Sequence, residues 1–308
     1  MKALLHFIFF LLTVALGFAQ SPSIKEIEIE PQLLGDLYTT ATSSDNLAII
    51  VPGSGPTNRN GNSYMGLKGD SYKQLAFALA TKSIDVFTYD KRIIAQLKAN
   101  QVKEEETRFD DGVTDLILIV NYFATQYPNI TLIGHSEGAL IANLVANTNS
   151  KVTKYIALQG PGESADKIIY EQVTKQFPAL GEQVNTINQT LKKGVLVEKV
   201  PSFLQALYRP SVQPYLISWM KYDPSLEIQK TKQPTLLIDG DKDLQVSIKQ
   251  GDLLQQANPK AKRITLQNMN HVLKQIDKEE DNLKSYGDPS FPLHPALVST
   301  LSTFILNH

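Results

Sequence analysis

The chain has 308 residues, enough for one large domain or for a domain that carries an insertion. Its hydrophobic fraction of 42% and charged fraction of 20% are those of an ordinary globular protein, and a net charge of −1 without long lysine or arginine runs excludes the basic patch that nucleic-acid binding needs. The absence of cysteine excludes disulfides, a thiolate nucleophile and cysteine-based metal sites.

The first residues have the pattern of a signal peptide. Lys2 supplies a positive charge, residues 4–16 form an almost unbroken apolar stretch, and Gly17-Phe18-Ala19 offers small residues for cleavage after Ala19. An uncleaved anchor is the alternative, but the apolar run is short of the ~20 residues that cross a bilayer. The pattern predicts a signal peptide over residues 1–19, a mature domain over 20–308, and export to the periplasm or the medium with no membrane contact afterwards.

Short apolar runs rich in β-branched residues then alternate with helical patterns, which favours a mostly parallel sheet with helices on both faces. The predicted strands are 47–51, 84–89, 130–133, 155–158, 235–238 and 263–266. Between the second and third of these, apolar residues recur at helical spacing from Val113 to Ala124 and the pattern stops at Tyr127-Pro128, as expected for a crossover helix. A last helix is predicted over Ala296 to Leu306.

The stretch from about 162 to 228 breaks this alternation. It has helical patterns and apolar clusters such as Phe203-Leu204 and Tyr215-Leu216-Ile217, but no convincing strand. We interpret it as a helical cap inserted into the domain. The alternative is a second helical layer without a role in substrate binding.

The most informative motif is Gly134-His135-Ser136-Glu137-Gly138, which directly follows a predicted strand and directly precedes a helical pattern over 139–145. This is the context of the Gly-x-Ser-x-Gly elbow, in which a sharp strand-to-helix turn projects the serine hydroxyl. Glycine on either side avoids a clash between a Cβ and neighbouring elements. The motif predicts that Ser136 is a nucleophile.

A serine hydroxyl needs a base and an orienting acid, which follow it in the order acid, then histidine, in proteins with this elbow. The strand 235–238 leads into a loop with three aspartates. We choose Asp243 as the acid, because Asp239 is expected to lie still on the strand and Asp241 near the turn apex; Asp241 is the alternative.

His271 lies just after the strand 263–266 and is the best candidate for the base. Of the other histidines, His6 lies in the signal peptide, His135 lies inside the elbow and His308 is the last residue. His294, between prolines at a helix start, is the runner-up.

An acyl-transfer intermediate also needs two backbone donors for its oxyanion. The residue after the nucleophile, Glu137, supplies the first. The glycine-rich segment Pro52-Gly53-Ser54-Gly55-Pro56 follows an early strand, and we assign the second donor to the amide of Ser54. No phosphate-loop lysine follows this segment, which disfavours nucleotide binding.

Taken together, these segments resemble the bacterial carboxylesterases of the α/β-hydrolase superfamily, close to its serine aminopeptidase-like branch. The segments that carry the resemblance are 53–62, 134–138, 211–216 and 270–274. The resemblance implies an α/β-hydrolase fold, a pocket for a small-molecule acyl ester roofed by helices, and esterase activity without a metal or cofactor. Two departures are Asn58, where an aspartate is usual, and Ile93-Ile94, where a glycine-rich turn is usual.

We therefore expect a serine carboxylesterase acting on small to medium acyl esters through Ser136, His271 and Asp243. The enzymatic alternative is a peptidase acting on short peptides, for which Glu163 and Glu171 are candidate ligands of the substrate amino group. A catalytically silent binding scaffold is the third hypothesis. Nothing in the sequence indicates an oligomeric state.

Overall fold

A computed structural model describes residues 21–40, 43–64 and 66–307. The predicted signal peptide lies outside the described residues. Within them the chain forms a single sheet of eight strands: β1 (Ser23–Glu30), β2 (Leu33–Thr39), β3 (Asn46–Val51), β4 (Asp85–Tyr89), β5 (Asn129–His135), β6 (Val152–Leu158), β7 (Thr235–Gly240) and β8 (Lys262–Leu266). The strand order across the sheet is β1-β2-β4-β3-β5-β6-β7-β8.

The sheet is parallel from β4 to β8, and β1 and β2 add an antiparallel edge. All six predicted strands are present, which confirms the mostly parallel sheet. The strands β1 and β2 were not predicted, although Ile27 and Ile29 alternate with glutamates as in a half-buried strand. The mixed polarity of β1 fits its position at the edge of the sheet.

Helices cover both faces of the sheet and also form the segment that interrupts it. The helices are α1 (Ser71–Ala80), α2 (Arg92–Lys98), α3 (Phe109–Phe123), α4 (Glu137–Thr148), α5 (Ala165–Gln176), α6 (Gly181–Lys192), α7 (Gln205–Tyr208), α8 (Gln213–Trp219), α9 (Pro224–Ile228), α10 (Ile248–Ala257) and α11 (Pro295–Leu306). The predicted crossover helix is α3, which begins four residues earlier than 113, where the Asp111 carboxylate accepts from the Arg108 amide at 2.7 Å and closes the first turn.

Two apolar clusters lie on opposite faces of the sheet. One packs α3 and α4 against it, with Phe123, Leu132 and Val145 fully buried. The other packs α1 and α11 against the opposite face, with Leu75 and Leu301 fully buried. The sheet is therefore held between two helical layers, and the loops described below leave its carboxyl edge.

The segment 162–228 holds α5 to α9 and no strand among the described residues. It has an apolar cluster of its own, centred on Val184, Leu191 and Tyr208. It also contacts the main body, since the Phe109 amide donates to Ser218 Oγ at 2.8 Å and the Phe109 ring stacks on Trp219 with 6.0 Å between centroids. The segment is thus a helical unit fixed to the start of α3.

Candidate active site

The elbow between β5 and α4 holds Ser136 in a backbone conformation that residues other than glycine rarely adopt. Its φ is 54° and its ψ is −125°, and α4 begins at the next residue. A Cβ at Gly134 would lie 2.3 Å from the Gly138 carbonyl oxygen, and one at Gly138 would lie 2.3 Å from the Val51 carbonyl oxygen. Both glycines are therefore required by close backbone contacts, as the motif predicts.

Asp243 and His271 meet at the same edge of the sheet. Asp243 Oδ2 lies 2.7 Å from His271 Nδ1, and both side chains are buried. The other carboxylate oxygen, Oδ1, accepts hydrogen bonds from the amides of Gln245 at 2.7 Å and Val246 at 2.8 Å. The carboxylate is thus held by its own loop, and its contact with Nδ1 leaves Nε2 of His271 as the proton-accepting nitrogen.

The two other aspartates of this loop have different partners. Asp239 pairs with Arg263 at 2.6 Å, and burial raises the pKa of its carboxyl. Asp241 is exposed and its Oδ1 accepts from the amide of Asn268 at 2.6 Å. His294 caps α11 by accepting from the Ala296 amide. Among the described aspartates of the loop, only Asp243 contacts a histidine ring.

A buried hydrogen-bond chain joins the glycine-rich loop to the histidine loop through the elbow. The Gly53 amide donates to Tyr72 Oη at 3.1 Å, and Tyr72 Oη lies 2.8 Å from His135 Nδ1. His135 Nε2 lies 2.8 Å from the His271 carbonyl oxygen. Because a carbonyl only accepts, Nε2 carries the proton and the Tyr72 hydroxyl donates to Nδ1.

His135 is therefore held as the neutral imidazole. Burial, followed by the neighbouring His271, lowers the pKa of His135 to about 3. Its ring lies 4.8 Å from the ring of His271, measured between centroids. Tyr72 and His135 were not assigned a role from the sequence, because α1 and the elbow meet only in the folded chain.

The glycine-rich loop after β3 lies directly against the elbow. A Cβ at Gly53 would be only 3.2 Å from the Cβ of Ser136. Among the described residues, neither the Ser54 amide nor the Glu137 amide has a hydrogen-bond acceptor within the protein. The two predicted oxyanion donors thus lie on the two segments that flank Ser136.

The two departures from the esterase pattern have local explanations. Asn58 Oδ1 accepts from the amides of Asn60 and Asn62, both at 3.0 Å, and so closes the turn that an aspartate would close. Ile94 is buried in α2, which begins at Arg92 and replaces the glycine-rich turn. Arg59 ties this loop to Asp36 at 2.6 Å and Asp90 at 3.0 Å.

Glu163 and Glu171 are engaged with a neighbouring helix. The side chain of Gln250 in α10 is fully buried. Its Nε2 donates to Glu163 at 3.0 Å and to Glu171 at 3.1 Å. Glu163 also lies 3.4 Å from the ammonium of Lys167. Within the described part of the chain, no group of three or more His, Asp or Glu side chains is arranged to hold a metal ion.

The chain has the α/β-hydrolase fold, which it shares with solved esterase structures. More narrowly, its residues 65–213 match the family described as serine aminopeptidase, S33. No curated protein matches the sequence significantly.

Solved structures with the same fold include an esterase of Pyrococcus furiosus, with 15% identity, a TM-score of 0.54, and coverage of 92% of this chain and 89% of that chain. Est1E of Butyrivibrio proteoclasticus matches with 14% identity and a TM-score of 0.55, over 94% of this chain and 100% of that chain. A dienelactone hydrolase of Anabaena variabilis matches with 14% identity and a TM-score of 0.52, over 92% and 97%. At these identities the likeness establishes the fold.

Proposed function

We propose that the protein is an exported serine carboxylesterase that hydrolyses small to medium acyl esters through an acyl-enzyme. The observation that carries the proposal is the contact between buried Asp243 and His271, on loops that share the carboxyl edge of the sheet with the strained Ser136. In a serine hydrolase these three groups have the residue types and the chain order of nucleophile, acid and base.

In this mechanism His271 Nε2 takes the hydroxyl proton of Ser136 as its Oγ attacks the ester carbonyl. Asp243 holds the imidazole tautomer and stabilises the imidazolium that forms. The amides of Ser54 and Glu137 stabilise the oxyanion, and the leaving alcohol takes the proton from His271. Water, activated by His271, then attacks the acyl-enzyme and releases the acid.

The acidic residues that an aminopeptidase would use for the substrate ammonium already have partners in the chain. Glu163 and Glu171 share Gln250 Nε2 as a donor, and Glu163 also pairs with Lys167. The carboxylate of Glu137 is fully buried and paired with Lys91 at 2.8 Å. The family match keeps a serine aminopeptidase as the second candidate.

Several further parts of the proposal rest on the sequence and on the neighbouring structures. Export depends on the pattern in residues 1–19. The helical segment 162–228 is proposed to roof the acyl pocket. Est1E has been solved with ferulic acid bound, which makes a hydroxycinnamoyl ester a useful addition to simple acyl esters as a test substrate.

The test is hydrolysis of p-nitrophenyl acetate, butyrate and octanoate, of methyl ferulate, and of aminoacyl p-nitroanilides by the mature chain. We expect ester turnover that falls by ~10⁴-fold or more in Ser136→Ala. Ser299→Ala, an exposed serine on α11, is the matched control and should retain full activity. Cleavage of the anilides alone would establish the aminopeptidase, and ester turnover that survives in Ser136→Ala would contradict the proposed nucleophile.

A further inference from the structure

Lys91, directly after Asp90 at the end of β4, binds both segments that flank the candidate nucleophile. Its ammonium donates to the Gly53 carbonyl oxygen at 2.8 Å and to Glu137 Oε1 at 2.8 Å. The Lys91 side chain is only 16% exposed and that of Glu137 is completely buried. A single cation therefore joins the glycine-rich loop to the first residue of α4.

The bond to Gly53 fixes the direction of the Ser54 amide. The Gly53 carbonyl and the Ser54 N–H belong to one peptide unit, and no described peptide bond is cis. In a planar trans peptide the C=O and N–H point in opposite directions. When Lys91 holds the carbonyl, the Ser54 N–H must point away from the ammonium.

The preceding peptide is held as well, because the Gly53 amide donates to Tyr72 Oη. Both peptide planes on either side of Gly53 are thus fixed by side chains from other elements. A cation on the carbonyl also withdraws electrons from the peptide unit and strengthens its N–H as a donor. On the other flank, the ammonium neutralises a buried carboxylate that would otherwise repel a negative charge formed beside Ser136.

We propose that Lys91 is the positioning residue of the oxyanion hole. Its ammonium fixes the direction of the Ser54 N–H and at the same time neutralises the carboxylate of Glu137. This inference rests on the proposed function, because it needs an oxyanion to form beside Ser136. A buried ion pair with only a structural role would affect the free energy of unfolding, and leave the folded enzyme's kcat unchanged. The two roles are therefore separable by experiment.

The decisive comparison is between Glu137→Gln and the double variant K91M/E137Q. Lys91→Met alone leaves a buried carboxylate unpaired, which threatens folding. In the Glu137→Gln background this charge is absent, so the added Lys91→Met isolates the bond to the Gly53 carbonyl. Lys91→Arg tests rescue by another cation, and the exposed Lys82→Met is the matched control.

Two experiments are made on each folded variant: steady-state ester hydrolysis, which gives kcat and KM, and the rate at which a fluorophosphonate labels Ser136. Removing an oxyanion donor costs about 10²–10³ in kcat, so an unheld donor should cost about 10- to 100-fold. We expect K91M/E137Q to lose about this factor in kcat and in labelling rate relative to Glu137→Gln, with KM changed less than about threefold. Lys91→Arg should recover part of the loss.

Equal kcat and equal labelling rates in Glu137→Gln and K91M/E137Q would overturn the inference. Failure of both Lys91→Met variants to fold would overturn it too, by assigning Lys91 a structural role. Labelling does not depend on the substrate class. A wild-type chain that is labelled at Ser136 but hydrolyses no ester would contradict the proposed function, while the labelling rates would still decide the role of Lys91.

Discussion

At the scale of single residues, Asp243 shows how the loop after β7 selects one carboxylate among three. Its Oδ1 is fully occupied by the amides of Gln245 and Val246, so Oδ2 is directed at His271. The neighbours Asp239 and Asp241 have their own partners in Arg263 and the Asn268 amide. Because each aspartate has its own partner, isosteric substitution by asparagine can test which of them orients His271.

Asp243→Asn should lower kcat by about 10³–10⁴-fold while changing stability little, because the amide favours the wrong imidazole tautomer. Asp241→Asn is the matched control and should stay near wild type, since its Oδ1 can still accept from Asn268. The measurement is steady-state ester hydrolysis by both variants. A larger loss in Asp241→Asn than in Asp243→Asn would assign the acid to Asp241.

His135 makes stability depend on pH. Burial lowers the pKa of His135 to about 3, whereas an unfolded histidine titrates near 6.5. Between these values the unfolded chain binds more protons than the native chain, so the free energy of unfolding falls as the pH is lowered from about 6.5 towards 3. One such group contributes a slope of up to about 1.4 kcal/mol per pH unit.

Urea unfolding at pH 5 and pH 6.5 checks this effect against His135→Gln, whose side chain does not titrate. The other titratable groups are the same in both chains. The difference between the two pH dependences of the free energy of unfolding is therefore due to His135. The wild type should lose more stability on acidification than His135→Gln. Equal losses would mean that His135 is not held neutral in the native state.

The candidate nucleophile, acid and base could be proposed from the sequence because each lies in a local pattern: an elbow, and loops that follow apolar strands. Lys91 and Tyr72 were not assigned a role from the sequence. Their importance comes from contacts across long sequence separations, between the ends of β3, β4 and α1. A single sequence carries no local signal for such contacts.

At the scale of elements, the elbow depends on the close approach of α4 to β3. Gly138→Ala would place a Cβ 2.3 Å from the Val51 carbonyl oxygen and 2.6 Å from that of Pro52, and neither backbone atom can move without displacing β3. We expect a loss of about 1–3 kcal/mol or more in the free energy of unfolding, as in other overpacked cores.

Urea unfolding of Gly138→Ala beside Gly287→Ala measures this cost. Gly287 is a sound control, because its φ is −106° and the nearest atom to an added Cβ is 3.8 Å away. Unfolding of Gly138→Ala at the wild-type urea midpoint would show that the elbow tolerates a side chain there.

Element boundaries were predicted well where capping or strand chemistry is local. The last helix was predicted from 296 and begins at Pro295, since His294 caps it. The strand β1 was missed because its pattern is largely polar, and an edge strand needs only one buried face. The strand β2 was missed because Gly35 and Asp36 interrupt its apolar residues.

At the scale of the whole molecule, alternation of strands and helices indicates a parallel sheet but does not give the strand order. In the sheet, β3 lies between β4 and β5. The chain therefore crosses from β3 to β4 in one direction and then from β4 past β3 to β5 in the other direction. Ligand sites in open α/β sheets lie at such a reversal, beyond the carboxyl ends of the strands. The loops with Ser54, Ser136, Asp243 and His271 all leave carboxyl ends of parallel strands, which explains how residues so distant in sequence share one edge.

The most direct test of the central claim is the intact mass of the mature chain after reaction with a fluorophosphonate, followed by peptide mapping. The account predicts one adduct per chain, located on Ser136, and no adduct in Ser136→Ala. An unmodified wild-type chain, or an adduct that maps to another residue and persists in Ser136→Ala, would contradict the assignment of this site as that of a serine hydrolase.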